Sequence, residues 1–366
     1  MVQKGIKLRI YPNKEQEKLI HKIFGCCRFV YNEGLVMRSN AYKNGEKIGY
    51  VQTASMLTQL KKCKDFEFLK DADSVALQQS LRDLDRSFTN FFQKRTSYPS
   101  FKSKRNHNQS YRTICQNNNI RIIGKRIKLP KLGLVKIRQA IDVEKINSVT
   151  VRCTPSGKYF AVLNVDFQPR LYPNSGDQIG IDVGIMNFYT DSNGNTVSNP
   201  KYLERSIRKL SRAQHKLSRK QKGSKNRNKQ RIKVALIHEK IVNQRNDFLQ
   251  KHSTMLIREN QTICIEELEI KQMMHDNKLA KNIASASWGK FINMLTYKSI
   301  WYGNDLIKIP NTYPSSQLCS CCGYKNELVK KLKVREWRCP RCHSVHNRDI
   351  NASINLLNKG LQLQLL

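Results

Sequence analysis

The sequence predicts a multidomain fold in which an α+β part is followed by an α/β part. The first part begins with strand-like alternation in GIKLRIYPNKEQ, continues with helical spacing of apolar residues, and returns to short alternating segments from Tyr98 onward. After the turn-forming linker LYPNSGD at 171–177, apolar strands alternate with helices. The chain has 366 residues and is 39% hydrophobic, which allows two or three domains with cores of their own.

A helical unit is predicted between residues 13 and 96. Its apolar residues recur at the three- and four-residue intervals of amphipathic helices. They are Leu19, Ile20, Ile23, Phe24 and Cys27 in one helix and Leu77, Leu81, Leu84, Phe88 and Phe91 in another. Because β-type segments flank this region on both sides, we predict that residues 13–96 form a helical domain inserted into a β-domain.

The flanking β-domain is predicted to comprise residues 1–12 and 97–172. Its second part contains six short alternating segments that are separated by turns rich in Asn, Gly and Pro. They are YRTIC, NIRII, RIKLP, LVKIR, SVTVRC and YFAVLNVDF. This pattern predicts a small β-barrel or sandwich, and we expect a first strand near residues 5–10 to join it.

The net charge indicates a polyanionic partner. The chain has 66 Lys and Arg against 28 Asp and Glu, which gives a formal charge of +38 that no single run accounts for. Such a charge predicts phosphate contacts of strongly salt-dependent affinity, and nucleic acid is the natural candidate. A membrane surface is the competing polyanion, but no apolar run approaches the roughly eighteen residues of a spanning helix. We therefore expect an intracellular protein with no membrane partner.

A basic helical hairpin is predicted at 201–257. Residues 201–233 contain fourteen Lys or Arg and one acid, Glu204. A charge run is usually a solvated helix face, but this density favours phosphate contact. Lys222, Lys225 and Arg227 in the connecting segment KGSKNRNK are the candidate contacts.

Three carboxylates are unusual in so basic a chain. Asp182 lies inside the apolar strand IGIDVGI, Glu266 ends the apolar strand TICIE, and Asp349 opens a C-terminal amphipathic helix. A half-buried carboxylate needs a partner, because its desolvation is costly. Taken one at a time, acids at strand ends are more often surface residues, and an Asp at a helix start is more often a cap.

The order of these elements favours a shared site. A strand with Asp, a hairpin, a later strand ending in Glu and a final helix opened by Asp is the order of the RNase H superfamily, here spanning 173–318 and 343–366. In that fold the three carboxylates meet at one sheet edge, where they can hold two metal ions for phosphodiester hydrolysis. Oxygen-only ligands fit Mg²⁺ or Mn²⁺.

Two CxxC pairs predict a structural zinc ribbon at 319–342. Cys319 and Cys322 form the first pair, and Cys339 and Cys342 form the second, at a spacing typical of a Cys₄ site. There are also three alternative ligands, Cys321, His343 and His346. The remaining six cysteines are expected to be small buried residues. They are Cys26, Cys27, Cys63, Cys115, Cys153 and Cys264.

Several motifs together resemble the TnpB family of insertion-sequence proteins, which are related to the ancestors of type V CRISPR nucleases. The specific ones are GIDVGIMNF, IEEL at 265–268, PSSQLCSCCGYKN and CPRCHSVHNRDINASIN. Looser matches are LRIYPNKEQ, GCCRFVYN at 25–32, YPSFKSK at 98–104 and KGSKNRNK at 222–229. The resemblance therefore runs over nearly the whole chain.

The resemblance implies an RNA-guided DNA endonuclease with a RuvC-like domain, an N-terminal wedge β-barrel and an inserted recognition unit. It implies that Asp182, Glu266 and Asp349 are catalytic, with Mg²⁺ or Mn²⁺ as the metal, and that the four CxxC cysteines bind Zn²⁺. Its partners would be a transposon-derived guide RNA and double-stranded target DNA with a short flanking motif. The expected form is a monomeric ribonucleoprotein in the bacterial or archaeal cytoplasm, associated with the nucleoid.

Contacts with the flanking motif are expected in the recognition unit and the β-domain. The candidates are Tyr50, Ser74, Gln78 and Gln116. Each is equally compatible with an ordinary surface or capping role.

Two other functions remain open at this point. A guided DNA binder without nuclease activity would be favoured by loss of one acid, and all three acids are present. A transposase that joins DNA strands itself could also use three acids of this kind, although basicity spread over all domains suits a long RNA partner better.

Overall fold

The structure is a computed structural model that describes residues 2–169, 171–172, 176–276, 280–331 and 333–365. The chain divides into two compact units, Met1–Phe167 and Gln168–Leu366. It is a multidomain α+β protein, as predicted. The predicted linker at 171–177 follows the division between the units, and its residues 173–175 lie outside the described part of the chain.

The first unit contains a seven-stranded sheet. Its strands are β1 (Val2–Tyr11), β2 (Gln109–Ile114), β3 (Arg121–Ile123), β4 (Arg126–Leu129), β5 (Gly133–Ile137), β6 (Ile146–Cys153) and β7 (Tyr159–Phe167), in the order β2-β6-β7-β1-β5-β4-β3. β1 pairs antiparallel with β7 from Val2↔Phe167 to Ile10↔Tyr159 and also pairs with β5. The prediction that the first strand joins the later ones is therefore confirmed.

The helices of the first unit lie between β1 and β2 in the chain. They are α1 (Lys14–Lys43), α2 (Tyr50–Leu60), a 3-10 segment (Lys64–Asp71) and α3 (Ser74–Phe92). Asn13 and Gln16 form a capping box at the start of α1, since each side chain accepts from the backbone N–H of the other. The apolar faces of α1 and α3 join the core of the sheet. The expected helical region is therefore present between the first strand and the rest of the sheet.

The second unit is built on a five-stranded mixed sheet. Its strands are β8 (Gln178–Val183), β9 (Asn187–Asp191), β10 (Thr196–Ser198), β11 (Thr262–Glu266) and β12 (Asp305–Ile309), in the order β10-β9-β8-β11-β12. β8, β11 and β12 are parallel, and β9 runs antiparallel to β8. The parallel strands are therefore the central and last strands of this sheet.

Helices cover this sheet and connect its strands. They are α4 (Tyr202–Ser218), α5 (Lys225–Glu259), α6 (Ile270–Met273), α7 (Ala280–Ala286), α8 (Trp288–Tyr302) and α9 (Arg348–Gln364). Phe188 and Tyr189 of β9 and Phe291 of α8 are among the largest fully buried side chains of the core. The segment between β12 and α9 contains a 3-10 turn (Glu327–Lys330) and the two-stranded pair β13 (Glu336–Arg338) and β14 (Val345–Asn347).

Two glycines allow α9 to pack very closely against the sheet. A Cβ at Gly180 of β8 would lie 2.0 Å from the carbonyl oxygen of Ser353, and a Cβ at Gly360 of α9 would lie 2.2 Å from Sγ of Cys264 in β11. No larger residue fits at either contact without moving the helix. These glycines therefore fix the height of α9 above β8 and β11.

The predicted basic hairpin at 201–257 is formed by α4 and α5. The two helices pack against each other, and Leu210 of α4 and Val234 of α5 are buried. Arg227 closes the connection, because its Nη1 donates to the carbonyl oxygens of Leu217 at 2.8 Å and Lys220 at 2.9 Å. Most other cations of 201–233 are exposed, whereas Lys220 and Arg231 are half-buried.

The expectation that six isolated cysteines are buried holds for most of them. Cys26, Cys27, Cys153 and Cys264 are buried, and Cys115 is half-buried. Cys63 is exposed, so the expectation was wrong at that position, where the chain turns from α2 into the 3-10 segment.

Within the described residues, no helix combines the length and the apolar character needed to cross a membrane.

Candidate functional site

Asp182 and Glu266 lie at the carboxyl ends of two neighbouring parallel strands. Ile181 of β8 pairs with Ile265 of β11, so the next residue of each strand is a carboxylate. Both acids are half-buried. Carboxyl ends of parallel strands open at one edge of a sheet, which is where ligand sites of such sheets form.

Both side chains point to the face of the sheet that α9 covers. Side chains two residues apart in a strand share a face. Asp182 therefore shares the face of Gly180, and Glu266 shares the face of Cys264, and both of these positions contact α9. α9 thus lies over the same face as the two carboxylates.

Asp349 is the second residue of α9 and is half-buried. It is not the helix cap, because Oδ1 of Asn347 accepts from the backbone N–H groups of Asp349 at 3.1 Å and Ile350 at 3.3 Å. The carboxylate of Asp349 instead accepts two hydrogen bonds from Nη1 of Arg335, at 3.3 and 3.4 Å. Helix capping therefore does not explain why an aspartate is present at this position.

The electrostatics link the three carboxylates. Burial and, to a smaller extent, the negative charges of Asp349 and Glu266 together raise the pKa of Asp182 to about 8, against the opposing charges of Arg348 and Arg335. Burial also raises the pKa of Glu266. The site therefore contains more negative charge than its surroundings stabilise, which is the electrostatic condition for binding a cation.

Sequence reasoning missed the two arginines that flank these acids. Arg335 comes from the segment before β13, and Arg348 is the first residue of α9, only 9% exposed. Among the described polar groups, Nη1 of Arg348 is buried without a hydrogen-bond partner. A lone cation in a chain with 66 Lys and Arg gives no sequence signal, so only the folded structure identifies this pair.

The cysteines of the two CxxC pairs come together. The Sγ atoms of Cys319, Cys322, Cys339 and Cys342 all lie within 4.8 Å of one another. Hydrogen bonds from Ser344 lower the pKa of Cys342 to about 6, which favours the thiolate that binds a metal. The donor set fits a tetrahedral zinc site.

A second set overlaps the first. Cys319, Cys321 and His346 also have ligand atoms within 4.8 Å of one another, and Nε2 of His346 lies 3.1 Å from Sγ of Cys319. Of the described residues, only these two sets are gathered so closely; the three carboxylates lie farther apart.

The predicted phosphate contacts in the hairpin are not equivalent. Lys222 is exposed in the turn before α5, and Lys225 is exposed at the start of α5. Arg227 is half-buried and donates to the backbone of the connection, so part of its guanidinium is already used.

Three of the four predicted motif contacts lie together in the first unit. Ser74 and Gln78 are exposed one turn apart on α3, and Arg82 continues this row and lies 4.5 Å over the ring of Tyr50. Gln116 is exposed just beyond β2. Near it in the chain, the hydroxyl of Thr113 donates to the carboxylate of Asp73, which is the N-cap of α3.

Sequence comparison places this chain among known proteins. It is 39% identical to a Streptomyces pristinaespiralis protein, over 98% of this chain and 90% of that one, and 31% identical to an Escherichia coli K12 protein, over 97% and 92%. Both relatives are named as candidate RNA-guided DNA endonucleases. The chain belongs to the TnpB family.

Family profiles match three segments of this TnpB chain. One described as "Probable transposase" matches residues 162–277, one described as "Cas12f1-like, TNB domain" matches 288–356, and one described as "Helix-turn-helix domain" matches 1–47. In the described part of that last segment, β1 and the single long helix α1 occupy most of the residues.

A solved structure has a similar fold. It is a cryo-EM structure of a Cas12f1–sgRNA–target DNA complex, with a TM-score of 0.62 and 14% identity, over 98% of this TnpB chain and 99% of that one. The similarity of fold therefore extends over nearly the whole length of both chains.

Proposed function

We propose that this TnpB protein is an RNA-guided DNA endonuclease of an insertion sequence, which cuts target DNA beside a short flanking motif. The observation that supports the proposal is that Asp182 and Glu266 end neighbouring parallel strands on the sheet face covered by α9, the helix that carries Asp349, and that the charges of the three carboxylates interact. The relatives named as RNA-guided DNA endonucleases and the Cas12f1 complex of similar fold support it.

The carboxylates fit Mg²⁺ or Mn²⁺ as catalytic ions. Their donor atoms are all oxygens, and burial together with the neighbouring carboxylates raises the pKa of Asp182, so a cation bound there would stabilise its ionised form. When bound there, such ions supply Lewis-acid stabilisation of the phosphate and an activated water for in-line hydrolysis. Asp182 and Glu266 would hold them from the sheet, and Asp349 would hold them from α9.

The protein's own groups would set the geometry of that reaction. Gly180 and Gly360 keep α9, and thus Asp349, at a fixed height above the two strand ends. The guanidinium groups of Arg335 and Arg348 add positive charge beside the acids, where a phosphodiester must approach. Burial around Asp182 limits water, which strengthens each of these interactions.

Zn²⁺ would be structural. Cys319, Cys322, Cys339 and Cys342 offer four thiolates and no open position for water. We propose residues 319–342 as a zinc ribbon inserted in a RuvC-like domain at 173–318 and 343–366. This assignment agrees with the strand order β10-β9-β8-β11-β12 followed by a covering helix.

The guide RNA and the target duplex would be held by the basic surfaces of both units. We propose residues 1–12 and 97–172 as a wedge domain, with residues 13–96 as the recognition unit. Tyr50, Ser74 and Gln78 of the recognition unit and Gln116 of the wedge domain are the candidate contacts with the flanking motif, and Lys222 and Lys225 would contact phosphate. We also propose a monomeric ribonucleoprotein that acts at the nucleoid in the cytoplasm.

The test is cleavage of a matched plasmid by the purified complex of this protein and its guide RNA with Mg²⁺. We expect linear DNA from the wild type and none from Asp182→Ala with Glu266→Ala. Cleavage that survives this double substitution would exclude the proposed site. Tight guided binding without cleavage under any divalent ion would support a guided binder instead.

The profile described as "Probable transposase" favours one other activity, DNA strand transfer by the same acids. Joined products formed from transposon-end DNA in the absence of RNA would establish it.

A further inference from the structure

The segment between β12 and α9, residues 310–347, is tied to α9 by two buried asparagines. We call this segment the cysteine insertion; it is described except for residue 332. Asn351 is 1% exposed and Asn355 is 5% exposed, and they lie one turn apart on α9. Asparagine is a poor residue for a helix interior and is costly to bury without partners, so both must satisfy their amides locally.

Asn351 binds the backbone on both sides of a proposed zinc ligand. Its Nδ2 donates to the carbonyl oxygen of Leu318 at 2.6 Å, and its Oδ1 accepts from the N–H of Ser320 at 2.9 Å. Cys319 lies between them and is 1% exposed. The amide of Asn351 therefore pairs with this stretch as a neighbouring strand would.

Asn355 extends the same contact. Its Nδ2 donates to the carbonyl oxygens of Leu318 at 2.7 Å and Ser315 at 2.8 Å. The backbone N–H of Arg348 also donates to the carbonyl oxygen of Arg335 at 2.8 Å, so the insertion is attached to α9 at its other end as well. The cysteine insertion is thus held against α9 at two places, its first knuckle and Arg335.

The two asparagines and Asp349 lie on different sides of α9. With about 3.6 residues per turn, Asp349 lies on the side of Ser353 and Gly360, which contact the sheet, whereas Asn351 and Asn355 lie roughly opposite. The helix is therefore held between the sheet and the cysteine insertion. Movement of the insertion along α9 would carry Arg335 away from the carboxylate of Asp349.

We propose that Asn351 and Asn355 are positioning residues, which clamp the first cysteine knuckle to α9 and so keep the cysteine insertion in register with Asp349. The clamp acts through hydrogen bonds to the backbone of 315–320 and requires no contact with nucleic acid. This inference rests on the proposed nuclease function.

The experiment uses the full-length guide-RNA complex and compares Asn351→Ala and Asn355→Ala with Asn358→Ala. Asn358 is an exposed asparagine on the same helix, which makes it the matched control. We expect the two clamp variants to lower the single-turnover cleavage rate by about tenfold or more, because small displacements of positioned groups have effects of this size. Affinity for target DNA and zinc content should be unchanged, and Asn358→Ala should match the wild type.

Two further measurements separate positioning from a merely structural role. Hydrogen exchange should become faster at the amides of 317–322 and 335–338 while the amides of β8 and β11 stay protected. In an Arg335→Ala background, Asn351→Ala should reduce the rate by less than about twofold, because the group it positions is already absent. Should Asn351→Ala fail to fold, Asn355→Ala carries the same measurements.

The clamp is overturned if the wild type cuts DNA and both clamp variants cut it as fast as the wild type does. It is also overturned if Asn351→Ala lowers the cleavage rate by the same factor in the Arg335→Ala background as in the wild type. A wild-type complex that does not cut DNA at all is a different result, which overturns the proposed function and this inference with it.

Discussion

Nη1 of Arg335 lies 3.3 Å from Oδ1 of Asp349, so a cation from the cysteine insertion forms an ion pair with a carboxylate of the candidate metal site. The guanidinium is also fixed by Nη2, which lies 3.4 Å from Sδ of Met186. A bound metal ion and this arginine therefore compete for the same negative charge. Metal affinity at this site should depend on a residue that contributes no ligand.

Arg335→Ala should tighten Mn²⁺ binding to the RNA-free protein. The pair is partly exposed, with side chains 44% and 28% accessible, so its removal is worth about 0.2–1 kcal/mol, or up to about fivefold in affinity. Electron paramagnetic resonance of free Mn²⁺ measures this directly. Arg338→Ala, which removes a nearby cation that donates to His343, is the control and should change little. Weaker Mn²⁺ binding by Arg335→Ala would contradict the competition.

Asp182→Asn should stabilise the metal-free protein at pH 8. The fold raises the pKa of Asp182 above its unfolded value, so the stability that its neutral form provides is complete below about pH 4 and is lost as pH rises toward 8. Removing the charge should restore roughly 1–3 kcal/mol at pH 8, after allowance for solvent screening, and less at pH 5. Urea unfolding at both pH values, in the presence of a chelator, measures this difference.

Asp191→Asn is the matched control for that experiment. Asp191 is on the neighbouring strand β9 and is only 6% exposed, but its carboxylate accepts from the N–H groups of Asn193 and Asn195 and from Nδ2 of Asn195. Its substitution should destabilise by about 1 kcal/mol. Stabilisation by Asp191→Asn, or none by Asp182→Asn, would show that the charge of Asp182 is not the cause.

Gly180→Ala should separate α9 from the sheet. The new Cβ would lie 2.0 Å from the carbonyl oxygen of Ser353, which is backbone and cannot rotate away. We expect a loss of about 1–3 kcal/mol in the free energy of unfolding and at least a tenfold loss of cleavage rate. Gly5→Ala is the control, since nothing lies within 4 Å of a Cβ at this glycine of β1. Equal effects of both substitutions would mean that close packing at Gly180 is unimportant.

Zinc content should distinguish the two overlapping ligand sets. Cys339→Ser should reduce bound zinc well below one ion per chain, because a tetrahedral Cys₄ site loses a ligand. Cys321→Ser should retain the ion. Mass spectrometry of metals in dialysed protein gives the ratio. The opposite pattern would assign the site to Cys319, Cys321 and His346.

Substitutions in the α4–α5 connection should divide into two classes. Lys222→Ala with Lys225→Ala should weaken binding of the guide RNA. The salt dependence of the affinity should fall by the equivalent of about one to two released counterions. Arg227→Ala should instead lower stability by about 1.5–3 kcal/mol, because two charged hydrogen bonds to carbonyl oxygens are lost. A salt-titrated filter-binding assay and a thermal melt separate these effects, and a reduced salt slope without destabilisation for Arg227→Ala would contradict the division.

The periodic spacing of apolar residues predicted most helices and strands, because most of them bury one face and expose the other. The alternating segments from YRTIC to YFAVLNVDF correspond to β2–β7, and the basic helical hairpin predicted at 201–257 corresponds to α4 and α5. α2 was not predicted, since it buries only Thr53 and Leu57 and therefore shows little apolar spacing. The helical character of residues 13–96 was predicted, but their division into four segments was not.

For the candidate site, carboxylates in apolar strands and at a helix start, together with the order of these elements, led to Asp182, Glu266 and Asp349, and spacing led to the cysteines. Arg335 and the asparagine clamp could not be predicted in this way. Arg335 meets Asp349 only because β13 and β14 turn the chain back, and Asn351 is recognisable only once its helix face is known to be buried. Contacts of this kind depend on tertiary placement, which local patterns do not encode.

The pairing of β1 with β7 sets an order for folding during synthesis. β1 leaves the ribosome long before Tyr159–Phe167, its main partner, and must remain unpaired along that edge until β7 has emerged. α1 and α3 can form earlier from local contacts, whereas closure of the sheet is a late, long-range step. In a growing chain, an exposed strand of this kind is a natural target for chaperones.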